Sequence, residues 1–183
     1  ANANNNVAII GIDEEVVIQG LLIKNGGNLI VNVGAKLTIR RTDFPTPSVG
    51  SGFQDNVCIE LAGSDSQIDN IGGTIIINGV AMRDGSELIG VLNKGRFFNG
   101  LSGSDQIATL TINNDVDFGI LANGNRFINN GIININNADG AVNPAGAAIS
   151  LNGGDFTSNA NFSEVYIRDC TQDGIRLNGS GDL

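Results

Sequence analysis

The feature that most constrains the fold is a repeat of about 30 residues that runs through most of the chain. A short apolar strand recurs as Ile59-Glu-Leu61, Ile89-Gly-Val91, Phe118-Gly-Ile120, Ile149-Ser-Leu151 and Ile175-Arg-Leu177. A second strand recurs as Arg96–Asn99 and Arg126–Asn129. One such unit cannot bury its own apolar side chains, so the repeat predicts units that stack on one another in a solenoid.

The clearest unit spans Phe118–Ala141 and predicts three short strands per coil. They are expected at Phe118–Leu121, Arg126–Ile128 and Ile132–Ile135, and the last of them alternates strictly between apolar and polar residues. Asn/Gly-rich corners separate the strands, and both residue types turn the chain at little steric cost. Three strands and three corners close one triangular coil. The 183 residues are therefore expected to form one all-β domain of about six coils.

Two segments carry a resemblance to a known architecture. Asp173–Ser180 (DGIRLNGS) and Arg126–Ile133 (RFINNGII) resemble the degenerate repeat of right-handed parallel β-helix proteins. That group includes pectate-lyase-like enzymes, phage tailspikes and bacterial surface proteins. The resemblance covers the chain from roughly Leu21 onward and implies a right-handed parallel β-helix of surface or extracellular type. It implies no single function, since one fold carries many chemistries.

Two stretches interrupt the repeat. Residues 1–20 are interpreted as an N-terminal strand or cap, or as a donor segment, because the polar lead is followed by the strand-like Val7–Ile10. Residues 42–56 contain two prolines and two glycines, which do not fit a strand ladder. We expect this stretch to form an extruded loop, either a lid over one wall or a binding loop.

The repeat also predicts which side chains stack inside the solenoid. One inward column is expected to contain Ile59, Ile89, Phe118, Ile149 and Ile175, and the next Leu61, Val91, Ile120, Leu151 and Leu177. Asparagines at equivalent corners can stack and hydrogen-bond along the axis, as they do in stacked-strand assemblies. The expected ladder consists of Asn93, Asn123, Asn152 and Asn178.

The two cysteines test this stacking. Cys58 and Cys170 flank strands that are four coils apart, which is roughly 19 Å at about 4.8 Å per stacked strand. A disulfide needs a Cα separation of about 4.4–6.8 Å. We therefore expect no bond between Cys58 and Cys170.

Charge and composition limit the partners and the cellular locations that the sequence allows. The formal net charge is −9, and the 10 Lys and Arg residues form no basic stripe, which disfavours nucleic acid as a partner. No apolar run is long enough to span a bilayer. An acidic, Asn- and Gly-rich, Lys-poor composition is common in secreted proteins, so an extracellular or cell-surface location is expected.

Candidate catalytic and metal residues are few. The chain has no histidine, which excludes Ser-His-Asp and Cys-His catalysis and removes the commonest zinc ligand. Polysaccharide lyases on this fold use a basic residue as proton abstractor beside calcium-binding carboxylates, so the resemblance would assign Arg168 or Arg176 with Asp169 and Asp173. Asp115, Asp117 and Asp139 could offer oxygen ligands to calcium. No other cofactor is expected.

The ends of the solenoid support the leading hypothesis. An uncapped solenoid exposes strand edges that template further pairing, and the sequence indicates no amphipathic capping helix. We expect a non-enzymatic structural protein that assembles head to tail with itself, or that forms part of a surface fibre or adhesin. The expected interface consists of Val7, Ile9 and Ile10 at one end and Ile175 and Leu177 at the other. Removing Ala1–Ile10 should abolish assembly.

Two alternatives remain open at this point. One is a glycan-active β-helix, either a polysaccharide lyase or a tailspike-like receptor binder, whose partner would be a glycan or a cell surface. The other is a calcium-dependent adhesion module, whose melting temperature would fall with a chelator.

Overall fold

The protein is built entirely from short strands in the part of the chain that the structure describes. The computed structural model describes residues 6–40, 56–80, 87–113, 116–136, 138, 146–158, 163–171 and 173–178. The strands in chain order are β1 (Val7–Ile10), β2 (Glu15–Ile18), β3 (Leu21–Ile23), β4 (Asn28–Val31), β5 (Lys36–Arg40), β6 (Val57–Leu61), β7 (Gln67–Asn70), β8 (Thr74–Asn78), β9 (Ile89–Asn93), β10 (Arg96–Asn99), β11 (Thr109–Asn113), β12 (Phe118–Ala122), β13 (Arg126–Asn129), β14 (Ile132–Asn136), β15 (Ala147–Asn152), β16 (Asp155–Ser158), β17 (Glu164–Arg168) and β18 (Asp173–Asn178). Nearly all of the expected loop at 42–56 lies outside these residues.

Every third strand enters the same sheet. Sheet A has the order β1-β4-β7-β10-β13-β16, sheet B β2-β5-β8-β11-β14-β17 and sheet C β3-β6-β9-β12-β15-β18, and all pairs are parallel. Three consecutive strands make one coil, and each coil lies on its predecessor. The predicted right-handed parallel β-helix of six coils with three strands per coil is confirmed.

The core consists of aliphatic columns that run from coil to coil, clearest in sheet B. The two inward columns of its middle strands contain Leu37, Ile75, Leu110 and Ile133, and Ile39, Ile77, Ile112 and Ile135, all buried. Burial of each such side chain stabilises the fold by roughly 1.5–3 kcal/mol relative to exposure. The strict alternation seen in the sequence arises because one face of each strand points into the core.

Sheet A contributes an inward column that changes in size along the axis. Phe97 and Phe127 stack with ring centroids 4.5 Å apart, and Phe127 and Phe156 stack at 5.4 Å. The column continues through Ile68 and Leu29 to an alanine, Ala8, in the first coil. The core is therefore bulky toward the last coil and thin at the first.

A buried amide ladder joins sheets A and B. The side-chain amide of Asn70 donates to Oδ1 of Asn99 at 2.9 Å, and that of Asn99 donates to Oδ1 of Asn129 at 2.9 Å. Each amide also donates to the first strand carbonyl of sheet B in the next coil, as Asn99 does to Ile132 at 3.1 Å. These bonds satisfy backbone groups at a corner where strand pairing stops.

A second ladder continues the outer edge of sheet B. Asn113 donates to Oδ1 of Asn78 at 3.2 Å, and Asn136 donates to Oδ1 of Asn113 at 3.0 Å. These three residues are half-buried. The principle of an asparagine ladder is therefore correct for this chain.

The predicted ladder positions are wrong in part: Asn152 and Asn178 do lie opposite each other, although both are exposed, but Asn123 does not share the column of Asn93. Asn93 is buried but shares its column with Leu61 and Ala122, and its amide donates to the carbonyl of Arg126. Asparagine is common at every corner of the coil, so the sequence pattern did not show which corner buries its amide.

The predicted columns of sheet C are also partly wrong. Ile89 and Phe118 do share a column, but Ile59 pairs with Val91, and Ile149 pairs with Ile120. The observed central column is Leu21, Ile59, Val91, Ile120, Ile149 and Ile175, and the next is Ile23, Leu61, Asn93, Ala122, Leu151 and Leu177.

The strands of sheet C kink after their first paired residue, and the sequence alignment grouped Ile89 and Phe118, which precede the kink, with Ile59, which follows it. Cys58 and Ile59 are neighbours in sequence, yet both belong to the main core, whereas Val57 belongs to a separate cluster with Ile89 and Phe118. A Cβ on Gly119 would meet the carbonyl oxygen of Ala148 at 2.5 Å, so the kink position requires small residues. The predicted columns therefore mixed two positions that are two residues apart, and alternation does not reveal this error because a shift of two residues keeps each side chain on the same face.

The structure also bears on the expectations about the two cysteines and about membrane-spanning segments. Cys58, which is buried, and Cys170, which is half-buried, are not joined by a disulfide, as predicted. Among the described residues, no helix has the length and apolar character needed to cross a membrane.

Candidate functional site: the two ends of the β-helix

Each end of the solenoid presents three strand edges. β1, β2 and β3 are the terminal strands of sheets A, B and C at one end, and β16, β17 and β18 are the terminal strands at the other. Each has one neighbouring strand among the described residues. Its second edge carries backbone N–H and C=O groups that can pair with another strand.

The exposed apolar side chains cluster in the same two coils. Nine large apolar or aromatic residues of the described chain are exposed, of which four lie in the first coil and three in the last. The first-coil residues are Val7, Ile9, Ile12 and Val17, and the last-coil residues are Tyr166, Ile175 and Leu177. The other two, Leu101 and Ile107, lie in one corner between β10 and β11. These residues do not all face the same way, so the informative ones are those that continue a core column.

In the last coil, core positions become surface positions. Ile175 is 44% exposed and Leu177 is 54% exposed, although their column neighbours Ile149 and Leu151 are fully buried. The difference arises because no described strand lies beyond β18. Ile175 and Leu177 are thus core side chains that are exposed to solvent at the end of the β-helix; we call them the open core side chains.

At the opposite end, the first coil has a cavity beside the residues that begin these two core columns. A pocket of about 230 Å³, open to solvent and mainly apolar, lies between β1, β3 and the turn that follows β3. Ala8, Leu21, Ile23 and Leu29 line its apolar part. It exists because the thin end of the aromatic column, at Ala8, leaves space beside sheet C.

The five predicted interface residues have three different environments. Ile175 and Leu177 are open core residues, as just described. Ile10 is only 6% exposed and belongs to the main core. Val7 and Ile9 alternate with the inward residues Ala8 and Ile10, so they lie on the outer face of sheet A.

The structure also changes how the N-terminal segment is interpreted. β1 pairs along its whole length with β4, from Val7 opposite Asn28 to Ile10 opposite Val31. It is therefore part of the first coil and not a separate donor strand. Only its other edge is available for pairing, and removing it would also remove core contacts.

Sequence reasoning missed the inward residues of the terminal coils. Ala8, Leu21 and Ile23 at one end and Val165 and Ile167 at the other lie at the ends of core columns. A correct alignment of the repeat, extended to the first and last strands, would have found them.

The outer face of the last coil carries a small polar group centred on Tyr166. Its hydroxyl donates to Oε2 of Glu164 at 2.8 Å, and the guanidinium of Arg168 lies 5.0 Å from the ring centroid. The hydrogen bond to the Glu164 carboxylate raises the pKa of Tyr166 above its ordinary value, since ionisation would break the bond and place two negative charges together.

Two of the four residues suggested for lyase chemistry, Arg176 and Asp173, form an ion pair with each other. The guanidinium of Arg176 lies 2.7 Å from Oδ2 of Asp173 and donates to the carbonyl of Gly146 at 3.2 Å. Asp169 occupies a turn with a φ of 53°. Arg176 is thus an ion-paired residue that ties β18 to the preceding coil.

The residues suggested for calcium cannot all be located. Asp115 and Asp139 lie outside the described residues. Asp117 is 5% exposed, and its Oδ2 accepts a hydrogen bond from the N–H of Leu88 at 2.8 Å, so it joins two successive coils. Within the described ranges, no group of three acidic or cysteine side chains converges as metal ligands would.

Comparison with known proteins adds no further information. No family model, no curated protein and no solved structure matches this chain.

Proposed function

We propose that this chain is an extracellular structural protein that assembles end to end into a filament. The observation that carries the proposal is the exposure of Ile175 and Leu177, which continue the core columns in which Ile149 and Leu151 are fully buried. Both terminal coils also present strand edges that pair with no other strand in the part of the chain that the structure describes. A surface built in this way favours the addition of another coil.

The two ends differ from each other, which determines the kind of assembly. A contact between unlike surfaces is heterologous, and when its rotation does not close it generates an open filament. Each open core side chain that becomes buried contributes roughly 1.5–3 kcal/mol at most, so several must act together to overcome the entropy cost of association.

A structural role also suits the rest of the molecule. The described strands form a continuous ladder of paired edges and packed columns, which resists bending and extension. The acidic, Lys-poor composition supports an extracellular or cell-surface location. One of the two candidate bases of the glycan-active alternative, Arg176, is held by Asp173 and the carbonyl of Gly146, and the other, Arg168, lies over the ring of Tyr166.

Electron microscopy and sedimentation of the purified protein test the proposal. Filaments should form as the concentration rises, with a subunit repeat of roughly 29 Å if six coils each add about 4.8 Å. The double variant Ile175→Asp/Leu177→Asp should remain monomeric. The matched control is Ile107→Asp/Leu101→Asp, which places the same charges on two exposed residues of a middle coil and should leave assembly intact.

Two results would count against the proposal. One is a protein that stays monomeric at every concentration tested. The other is assembly that the Ile175→Asp/Leu177→Asp variant retains. Circular dichroism of all variants should show an unchanged β-sheet signal, because the substituted residues are already about half exposed.

A further inference from the structure

We infer that the first-coil cavity is the receptor for strand β18 of a second copy, which adds below β3 in the register that continues the core columns. This inference rests on the proposed function. It specifies the contact between the last coil of one copy and the first coil of the next, which we call the joint. Within one chain the columns fix which residue lies on which, and the same rule extended by one coil predicts the contacts between copies.

The register in sheet C places the open core side chains against the cavity. Ile175 ends the column that begins at Leu21, and Leu177 ends the column that begins at Ile23. An added β18 therefore places Ile175 of one copy under Leu21 of the next and Leu177 under Ile23. Leu21 and Ile23 are two of the residues that line the cavity.

The volume of the cavity is large enough for the side chains that the last coil would place in it. The cavity measures about 230 Å³, whereas an apolar cavity of about 150 Å³ already accepts benzene. An aliphatic side chain such as that of Leu177 therefore fits in it. In sheet A the bulky end of the aromatic column, Phe156, would lie under the small end, Ala8, so the joint pairs a large residue with a small one.

Sheet B continues in the same register without a polar residue in its core columns. Val165 would lie under Val16, and Ile167 under Ile18, and all four are half-buried members of the core in the isolated chain. All three sheets therefore specify the same register. The strands stay parallel across the joint, so the filament is polar, with every subunit in one direction.

One contact in this joint is unfavourable, and its effect on association can be measured to test the register. The outer column that contains Glu164 ends at Glu15 in the first coil, so these two carboxylates become neighbours between copies. Lys36, 3.3 Å from Glu15, compensates in part. Glu164→Gln should therefore strengthen association and reduce its dependence on salt, since screening weakens charge repulsion.

Disulfide trapping tests the register directly. In a Cys170→Ser background, Val17→Cys and Tyr166→Cys place thiols on outward neighbours of the joint, about 4.8 Å apart between Cα atoms. The control is Glu15→Cys with Tyr166→Cys, which shifts one thiol by two residues along the same face. That pair is separated by about 8 Å, beyond the roughly 6.8 Å that a disulfide allows. Mild oxidation should give a ladder of covalent oligomers with the first pair and little with the second.

The outcomes separate this inference from the proposed function. Filaments in which the shifted pair cross-links as well as the matched pair would overturn the register and leave end-to-end assembly standing. A protein that does not associate at all would overturn both.

The cavity itself is tested by shortening its occupant. Leu177→Ala should weaken association by about 10-fold or more. Leu101→Ala shortens a leucine of similar exposure, 45% against 54%, far from both ends, and should leave association unchanged. Equal affinities for these two variants would show that β18 does not occupy the cavity.

Discussion

The middle coils and the terminal coils use the same residue types with opposite results. In the middle coils, Ile120 and Leu151 are fully buried between neighbours above and below. In the last coil, Ile175 and Leu177 continue the same columns and are about half exposed. The contrast shows that burial in a solenoid depends on the neighbouring coil more than on the residue.

The polar interactions show the same contrast. In the middle coils the amides of Asn70, Asn99 and Asn129 are buried and bonded to one another. The terminal coils carry solvent-exposed polar contacts, such as the ion pair between Glu15 and Lys36. Exposed ion pairs contribute little to stability, so the middle of the molecule is expected to hold the fold and the ends to remain available for binding.

The largest loss of folding stability should come from truncating a ring in the middle of the aromatic column. Phe127→Ala removes a ring that stacks on both Phe97 and Phe156 and should destabilise the fold by about 3–5 kcal/mol. Leu177→Ala, at the open end, should cost about 1 kcal/mol or less in the monomer. Urea denaturation followed by circular dichroism measures both, and similar losses would remove the distinction between middle and end.

A smaller effect is expected from the buried amide ladder. Asn99→Ala removes the bonds to Asn70, Asn129 and the carbonyl of Ile132 and should cost about 1–3 kcal/mol. Asn152→Ala alters an exposed asparagine of a different corner and should change stability by less than about 0.5 kcal/mol. Native-state hydrogen exchange should show faster exchange in the coils next to residue 99 only, and uniform exchange would argue against a local ladder.

The smallest effect is electrostatic and lies in the last coil. Tyr166 should titrate above 10.0, because its hydroxyl donates to Glu164, and Glu164→Gln should lower the pKa toward that ordinary value. The stabilisation linked to this raised pKa is present at lower pH and is lost as the pH rises through the folded-state pKa. Tyr166 is the only tyrosine, so its absorbance reports it alone. A midpoint at or below 10.0 would show that the bond to Glu164 is not maintained in solution.

Strand positions were predictable because they depend on local pattern. Val7–Ile10 and Arg96–Asn99 were predicted with their observed bounds, and the three strands of the clearest unit were predicted within one residue at either end. Apolar alternation and Asn/Gly corners carry that information within a few residues. The repeat length then required stacking.

The columns were less predictable because they depend on contacts between coils. Ile89 and Phe118 lie in the column of Val57, two residues before the position of Ile59, and a shift of two residues leaves the alternation unchanged. The ends were predicted only in part, because the residues that line the cavity become recognisable once Leu21 is seen opposite Ile59.

The sequence by itself determined that this chain stacks, since amphipathic strands at a fixed spacing have no other way to bury one face. The tertiary structure decided which atoms meet. Pairing register, the corner that buries its asparagine and the cavity beside Ala8 all depend on distances between coils, and those distances are set by packing that no single repeat contains.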